Sequence, residues 1–224
     1  APNSEWKLRT KNQPWTAGDT INVSIGQGFN LTTPLQVLMM YAALGNGGKL
    51  YRPYLLKKVV DETGKVIDEE KPYLRRSIKM TPELLRTVQL GIQDVVMAPT
   101  GTGKRAQVKG FTVSGKTGTA QAAALHKASQ AEEIAFQHRD HAWFAAYSPS
   151  ENPEIAVVAL SEHDGGGGGS VAAPIVQKVL EAFWRKKFPE KFPNSQPETI
   201  AIRKVLDPSA PILEPDDVVV PTEI

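Results

Sequence analysis

The sequence predicts an α+β fold, an antiparallel sheet covered by helices, and three observations carry that prediction. Residues Phe111 to Gln121 alternate Phe111, Val113 and Gly115 with Thr112, Ser114 and Lys116, the period-2 pattern of a strand with one buried face. His141 to Tyr147 and Glu154 to Ser161 are apolar runs joined by the turn-forming Ser148-Pro-Ser-Glu-Asn-Pro153, which reads as a hairpin. Helices are signalled at Thr33-Pro34, at Thr81-Pro82 and near Pro174, where a capping hydroxyl or an early proline precedes apolar residues at helical spacing. The three strands are expected side by side, with 111–121 at the outer edge and the helix near Pro174 lying across them.

The chain has 224 residues, 41% of them hydrophobic, enough for one substantial core. A formal charge of +2, with no basic run interleaved with aromatics, argues against a nucleic-acid partner. The absence of cysteine excludes disulfides and thiolate chemistry. No apolar run reaches membrane-spanning length and Ala1 to Lys7 has no signal-peptide core, so any membrane anchor is expected outside this chain. His138 and His141 stand three apart without a third ligand nearby and read as loop histidines; neither a metal nor a cofactor is expected.

In chain order, residues 1–20 are polar, broken by Pro2, Pro14 and Gly18, and read as an irregular leading segment. Ser4-Glu-Trp-Lys7 has the Ser-x-x-Lys spacing, but that spacing is useful only on a helix. With Pro2 and Asn3 before it and Leu8 the only nearby aliphatic, it reads as a solvated segment. Asp19 to Gly26 alternates Ile21, Val23 and Ile25 with polar residues and predicts a short strand, turned by Gln27-Gly28. Thr33-Pro34-Leu35-Gln36 is a capping box opening a helix with Leu35, Leu38, Met39 and Ala42 on one face, ended by Gly45 to Gly48. Met39 and Met40 read as core packing.

Tyr54 to Val60 and Val66-Ile67 flank a Glu62-Thr-Gly-Lys65 turn and predict a small surface hairpin. The helix from Thr81 carries Leu84, Val88, Ile92 and Val95 and stops at Pro99 to Gly103. Ala122 to Asp140 reads as a long loop or partly helical excursion, Gly165 to Gly169 as flexible. The last helix is expected to face a core through Ile175, Val176, Val179, Leu180 and Phe183. From Phe188 onward seven prolines and seven acids stand against three bases, which predicts a disordered tail over 188–224 with one short apolar stretch, Val218 to Val220.

Chemistry is concentrated in Ser114-Gly-Lys-Thr-Gly-Thr119. A cation, two hydroxyls and two residues without a Cβ stand together on one strand, which suits a carboxylate. An extended peptide could add itself along such an edge through main-chain hydrogen bonds.

Lys116-Thr-Gly-Thr119 resembles the third signature of penicillin-binding proteins and serine β-lactamases, whose other two are Ser-x-x-Lys and Ser-x-Asn. Gly18-Asp-Thr-Ile-Asn-Val-Ser-Ile-Gly-Gln-Gly28, Thr33-Pro-Leu-Gln36 and Ala42-Ala-Leu-Gly-Asn-Gly-Gly48 are similar to the stretch that class B members carry between their second and third motifs. The resemblance is closest to the elongation type typified by penicillin-binding protein 2. Glu162-His163, the glycine run, Ala172-Ala-Pro174 and a closing helix resemble the end of that domain. The resemblance covers roughly residues 15–187 and implies the transpeptidase fold shared with serine β-lactamases, incomplete here, with 1–187 as its carboxyl-terminal part.

The family's activity is acyl transfer. A serine attacks the penultimate D-Ala carbonyl of a peptidoglycan stem peptide, releases the terminal D-Ala and passes the acyl group to an amine of a neighbouring stem; β-lactams mimic the donor. The resemblance implies that Lys116 supplies positive field and relays protons. It implies that Ser114, Thr117, Gly118 and Thr119 line the substrate and β-lactam subsite, and that the Thr119 N–H is half of an oxyanion hole. It implies no cofactor. The implied partners are stem peptides, β-lactams, the upstream half of the domain, a membrane glycosyltransferase and elongation-complex proteins. The implied location is the periplasmic side of the bacterial inner membrane.

The nucleophilic serine is expected before residue 1, so the chain by itself is expected to be inactive. Ser150-Glu-Asn152 has the Ser-x-Asn form, but it sits in a turn and follows the Lys-Thr-Gly motif rather than preceding it. Two rivals stand beside this reading. One is a non-catalytic interaction module. The other is a phosphate-loop NTPase, because Gly110 to Thr117 fits G-x-x-x-x-G-K-[ST], although its x positions are themselves strand-like.

Overall fold

The computed structural model describes residues 2–121 and 136–193. Most of the expected excursion (122–135) and of the expected tail (194–224) lies outside the described residues. The centre is an antiparallel sheet of β5 (Ser114–Ala120), β6 (His141–Ser148) and β7 (Ile155–Ser161) in the order β5-β6-β7, with β5 at the edge as expected. The register pairs Lys116 with Ala145, Thr117 with Phe144 and Thr119 with Ala142. Side chains directly opposite one another share a face. Thr117 and Thr119 therefore stand with Phe144 and Ala142 on one face, and Lys116 stands with Ala145 on the other.

Each face has its own cover. On the first, Ala142, Phe144 and Ala146 pack with Val113 against helix α5 (Ala172–Lys187), which turns Ala172, Ala173, Val176, Leu180 and Trp184 fully inward. On the second, Ala145 and Tyr147 meet Val37, Tyr41 and Leu44 of helix α3 (Pro34–Gly45) and Ile92 of helix α4 (Pro82–Met97). Burying each Val, Leu or Phe side chain stabilises by about 1.5–3 kcal/mol, so these two interfaces hold the sheet between layers.

The helices start where the sequence predicts. Thr33 caps α3 with a full capping box to Gln36, and Thr81 caps α4 by accepting from the Leu84 amide. Their expected faces hold in part. On α3 Leu35 and Ala42 are exposed while Val37, Tyr41 and Leu44 face the sheet; on α4 Ile92 and Val95 pack on the two cores as expected, whereas Leu84 is exposed and Val96 is the buried residue. On α5, Ile175 and Val179 are open to solvent, and the large inward residue is Trp184, whose indole N–H donates to Ser148 Oγ at 3.1 Å. Apolar residues cover more than one stripe on all three helices, so periodicity alone leaves the rotation free.

Four expectations need correction. Residues 4–11 form helix α1 (Ser4–Lys11), capped by Asn3, which accepts from the Trp6 amide. Asp19 to Gly26 is not a strand, since Ala17–Ser24 is helix α2. Its capping box runs from Thr16 to Asp19, and these local hydrogen bonds override the β-branched alternation. The run Gly165–Gly169 is not loose throughout: Gly168 and Gly169 are closely packed, whereas Gly165 and Gly167 are exposed. The expected tail does not begin at Phe188, because Phe188 and Phe192 lie against Phe111, with Phe111 stacked on Trp184 at 4.1 Å.

The remaining elements form an arm. Strand β1 (Lys49–Tyr51) pairs with β4 (Leu74–Ser77), and nested within that pair β2 (Lys58–Val60) meets β3 (Val66–Glu69) around a turn in which Asp61 accepts from Thr63 and Lys65. The predicted surface hairpin is this inner pair. No described helix is long and apolar enough to cross a membrane.

Candidate functional site

The free edge of β5 is the candidate site, and its geometry follows from the ladder. Along an antiparallel edge strand alternate residues turn both N–H and C=O outward. Thr119 O accepts from Gln27 Nε2 at 2.9 Å and Thr117 O accepts from Lys116 Nζ at 3.0 Å, so Thr117 and Thr119 are the outward pair. The Thr119 N–H therefore points to the open side. Lys116 reaches that edge from the α3 face, where it is exposed, and its ammonium curls to within 3.3 Å of Thr117 Oγ1. The two threonine hydroxyls reach it from the α5 face. A cation, two hydroxyls and a backbone donor thus converge on one edge, a set able to hold a carboxylate beside a polarised carbonyl.

The face behind the threonines is made of glycine. A Cβ on Gly168 would overlap the Trp143 carbonyl and come within 2.7 Å of Gly118 O and 2.9 Å of Gly118 N. One on Gly169 would overlap Thr102 O and stand 3.3 Å from Thr117 Cγ2. Gly168 and Gly169 thus form a plate laid on β5 beside the Gly118–Trp143 ladder pair, possible only without side chains. Thr102, from the turn after α4, adds its hydroxyl 3.4 Å from that of Thr117. Gly115 is confined as well, because a Cβ there would lie 2.8 Å from Ala145 O.

Of the residues singled out in the sequence, Lys116, Thr117, Gly118 and Thr119 are brought together. Ser114 is not. It is fully buried and donates to Ser150 Oγ at 2.9 Å, within a network that ties the start of β5 to the β6–β7 turn. In that network the Ser150 amide donates to Thr112 Oγ1, and Thr112 donates to Glu151 at 2.7 Å, which holds the Glu151 carboxyl below its usual range. Ser150 therefore serves as a structural link in this turn. His138 lies in a 3₁₀ turn and His141 opens β6, so they do not share a helical face, and no group of three metal-ligating side chains occurs among the described residues. Gly115, Lys116 and Thr117 lie within β5 itself, so Gly110 to Thr117 is not a loop between strand and helix, which removes the phosphate-loop rival.

Ser4 and Lys7 do lie one helical turn apart, against the expectation. Lys7 is nonetheless buried and donates to Asp19 at 2.6 Å, so the pair is a tie between α1 and α2. The Lys7 side chain, then the Thr16 amide, holds the Asp19 carboxyl down to about 2. Sequence reasoning placed Gln27 in a turn and gave it no role at the edge of β5. The signal was present in Gly26-Gln-Gly28, where both glycines adopt positive φ (80° and 66°) and present the amide between them.

A family profile described as the penicillin binding protein transpeptidase domain matches residues 3–181. The peptidoglycan D,D-transpeptidase MrdA of Haemophilus influenzae is 37% identical over 195 residues, 84% of this chain and 29% of that protein. The structure of Pseudomonas aeruginosa PBP2 in complex with WCK 5153 superposes with a TM-score of 0.64 at 34% identity, over 82% of this chain and 37% of that one. The complex between PBP2 and MreC from Helicobacter pylori gives 0.57 at 29% identity, over 80% of this chain and 30% of that one. The chain therefore spans about three tenths of the curated relative and under four tenths of these solved chains.

Proposed function

The chain belongs to the penicillin-binding protein transpeptidase family, and we propose that it serves peptidoglycan D,D-transpeptidation of the elongation type, supplying the strand edge on which donor peptide or β-lactam is held. The observation that carries this is the open edge of β5, where Lys116, Thr117, Thr119 and the outward Thr119 N–H converge.

The donor's carboxylate meets the Lys116 ammonium and the threonine hydroxyls. Its scissile carbonyl turns towards the Thr119 N–H, where the charge that develops on attack is stabilised. The attacking serine and its base come from the Ser-x-x-Lys element of the family; Ser4 and Lys7 are not that element, because Lys7 is committed to Asp19. Lys116 places its positive field where the tetrahedral oxygen and the departing group gain charge. On this reading the protein works on the periplasmic side of the inner membrane with a membrane glycosyltransferase and an MreC-like partner. The complex of the Helicobacter pylori relative with MreC supports the latter.

The test is acylation of the full-length protein by a reporter penicillin. Lys116→Ala is expected to lower the second-order rate by about 10² to 10³, the usual cost of removing one group that acts on developing charge. Thr33→Ala, which only caps α3, should leave it nearly unchanged. Equal losses would remove Lys116 from the site. Saturable peptide binding without any acylation would favour the non-catalytic module.

A further inference from the structure

The edge of β5 is open at Thr117 but not beyond Thr119. Gln27 Nε2 donates to Thr119 O at 2.9 Å, and Gln27 Oε1 lies 3.5 Å from the Gln121 amide nitrogen, so one carboxamide faces two successive outward positions as a neighbouring strand would. The contact bridges 92 residues of sequence, and the loop that presents it is built for the purpose. The Gln27 amide donates to Asn22 O at 2.9 Å, Asn30 Nδ2 returns to Val23 O at 2.8 Å, and a Cβ on Gly28 would stand 3.2 Å from Asn22 Cβ. Behind the loop, α2 is anchored to α1 by Lys7–Asp19, with Trp6 against Phe29 at 5.3 Å.

We propose that Gln27 is a positioning residue for the oxyanion donor. By gripping the Thr119 carbonyl from outside the sheet it fixes the plane of the peptide unit following Thr119 and, through the rigid residue, the direction of the Thr119 N–H. The proposal rests on the reading of β5 as the substrate edge. It assigns Gln27 no contact with substrate. A donor that shifts during attack loses alignment with the developing charge, so the effect falls on the chemical step rather than on ligand capture.

The experiment uses the full-length protein with benzylpenicillin, resolving the dissociation constant of the reversible complex from the acylation rate constant by stopped flow, with thermal unfolding measured alongside. Gln27→Ala should slow acylation about tenfold, the order set by one lost hydrogen bond expressed in a barrier, with dissociation constant and Tm unchanged. Gln27→Glu keeps the length and the acceptor towards Gln121 but loses the donor to Thr119 O, and should be no better than alanine. Faster exchange of the Gln121 amide should accompany Gln27→Ala but not Gln27→Glu, which keeps that acceptor. An unchanged acylation rate in Gln27→Ala, full activity in Gln27→Glu, or a loss of Tm with parallel losses in affinity and rate would each overturn the positioning role. A wild-type protein that is never acylated would instead overturn the functional reading itself.

Discussion

The arm and the central sheet are both antiparallel β-structure, yet they are stabilised in opposite ways. Strands β2, β3 and β4 are exposed along their whole length, and Leu55 and Leu56, in the segment joining β1 to β2, stand in open solvent. They are held by local devices: the Asp61 turn, and an Arg52–Glu70 ion pair on the surface. Strands β5 to β7 contain almost no turn chemistry beyond Ser148–Pro153 and are held by layers on both faces. The difference teaches why the site lies where it does. A ligand strand needs an edge whose backbone does not move, and among the described sheets it is the one clamped between α5 and α3 that offers it.

That contrast is broken most severely at Phe144, which is fully buried under α5 and directly opposite Thr117. Phe144→Ala is expected to cost about 3–5 kcal/mol of unfolding free energy in urea titration. A loss below 1 kcal/mol would mean that the α5 interface does not hold the sheet.

A smaller effect is expected at Asp19, where the tie lies outside the sheet but supports the Gln27 loop. Its carboxyl is held at about 2 in the folded protein, below the value of about 3.9 of an unperturbed aspartate. The stabilisation is therefore complete above the unfolded value and is lost as pH falls through the folded one. The gap in unfolding midpoint between the wild type and Asp19→Asn should be constant from neutrality to about pH 5, narrow between about 4 and 2, and vanish below. A gap independent of pH would deny the Lys7–Asp19 tie its role.

The smallest effect is expected on the arm. Leu55→Ala should change stability by no more than about 0.5 kcal/mol, because the side chain leaves no water on folding. A loss comparable to that at Phe144 would show that the arm shares the core of the sheet.

The sequence by itself determined strands β5 to β7, their order and the run Lys116 to Thr119 on the candidate edge. Period-2 alternation, turn residues and capping boxes act over a few residues, so β5 to β7 and the starts of α3 and α4 follow from local preference. The Lys116-Thr-Gly-Thr119 run is likewise local, and the edge presents it intact. Only the tertiary structure decided which stripe of each helix is inward, that Gly168 and Gly169 are packed on the sheet, and that Ser114 is spent on Ser150. It also decided that Asp19 to Ser24 is helical, because the capping box at Thr16 and the partner Lys7 outweigh the preference of Ile21 and Val23 for extended chain. The role of Gln27 depends on a contact across 92 residues, and no local pattern encodes where a chain returns to itself. Local propensity selects among backbone conformations that differ by about 1 kcal/mol per residue, whereas burial and long-range hydrogen bonds select among arrangements that differ by several.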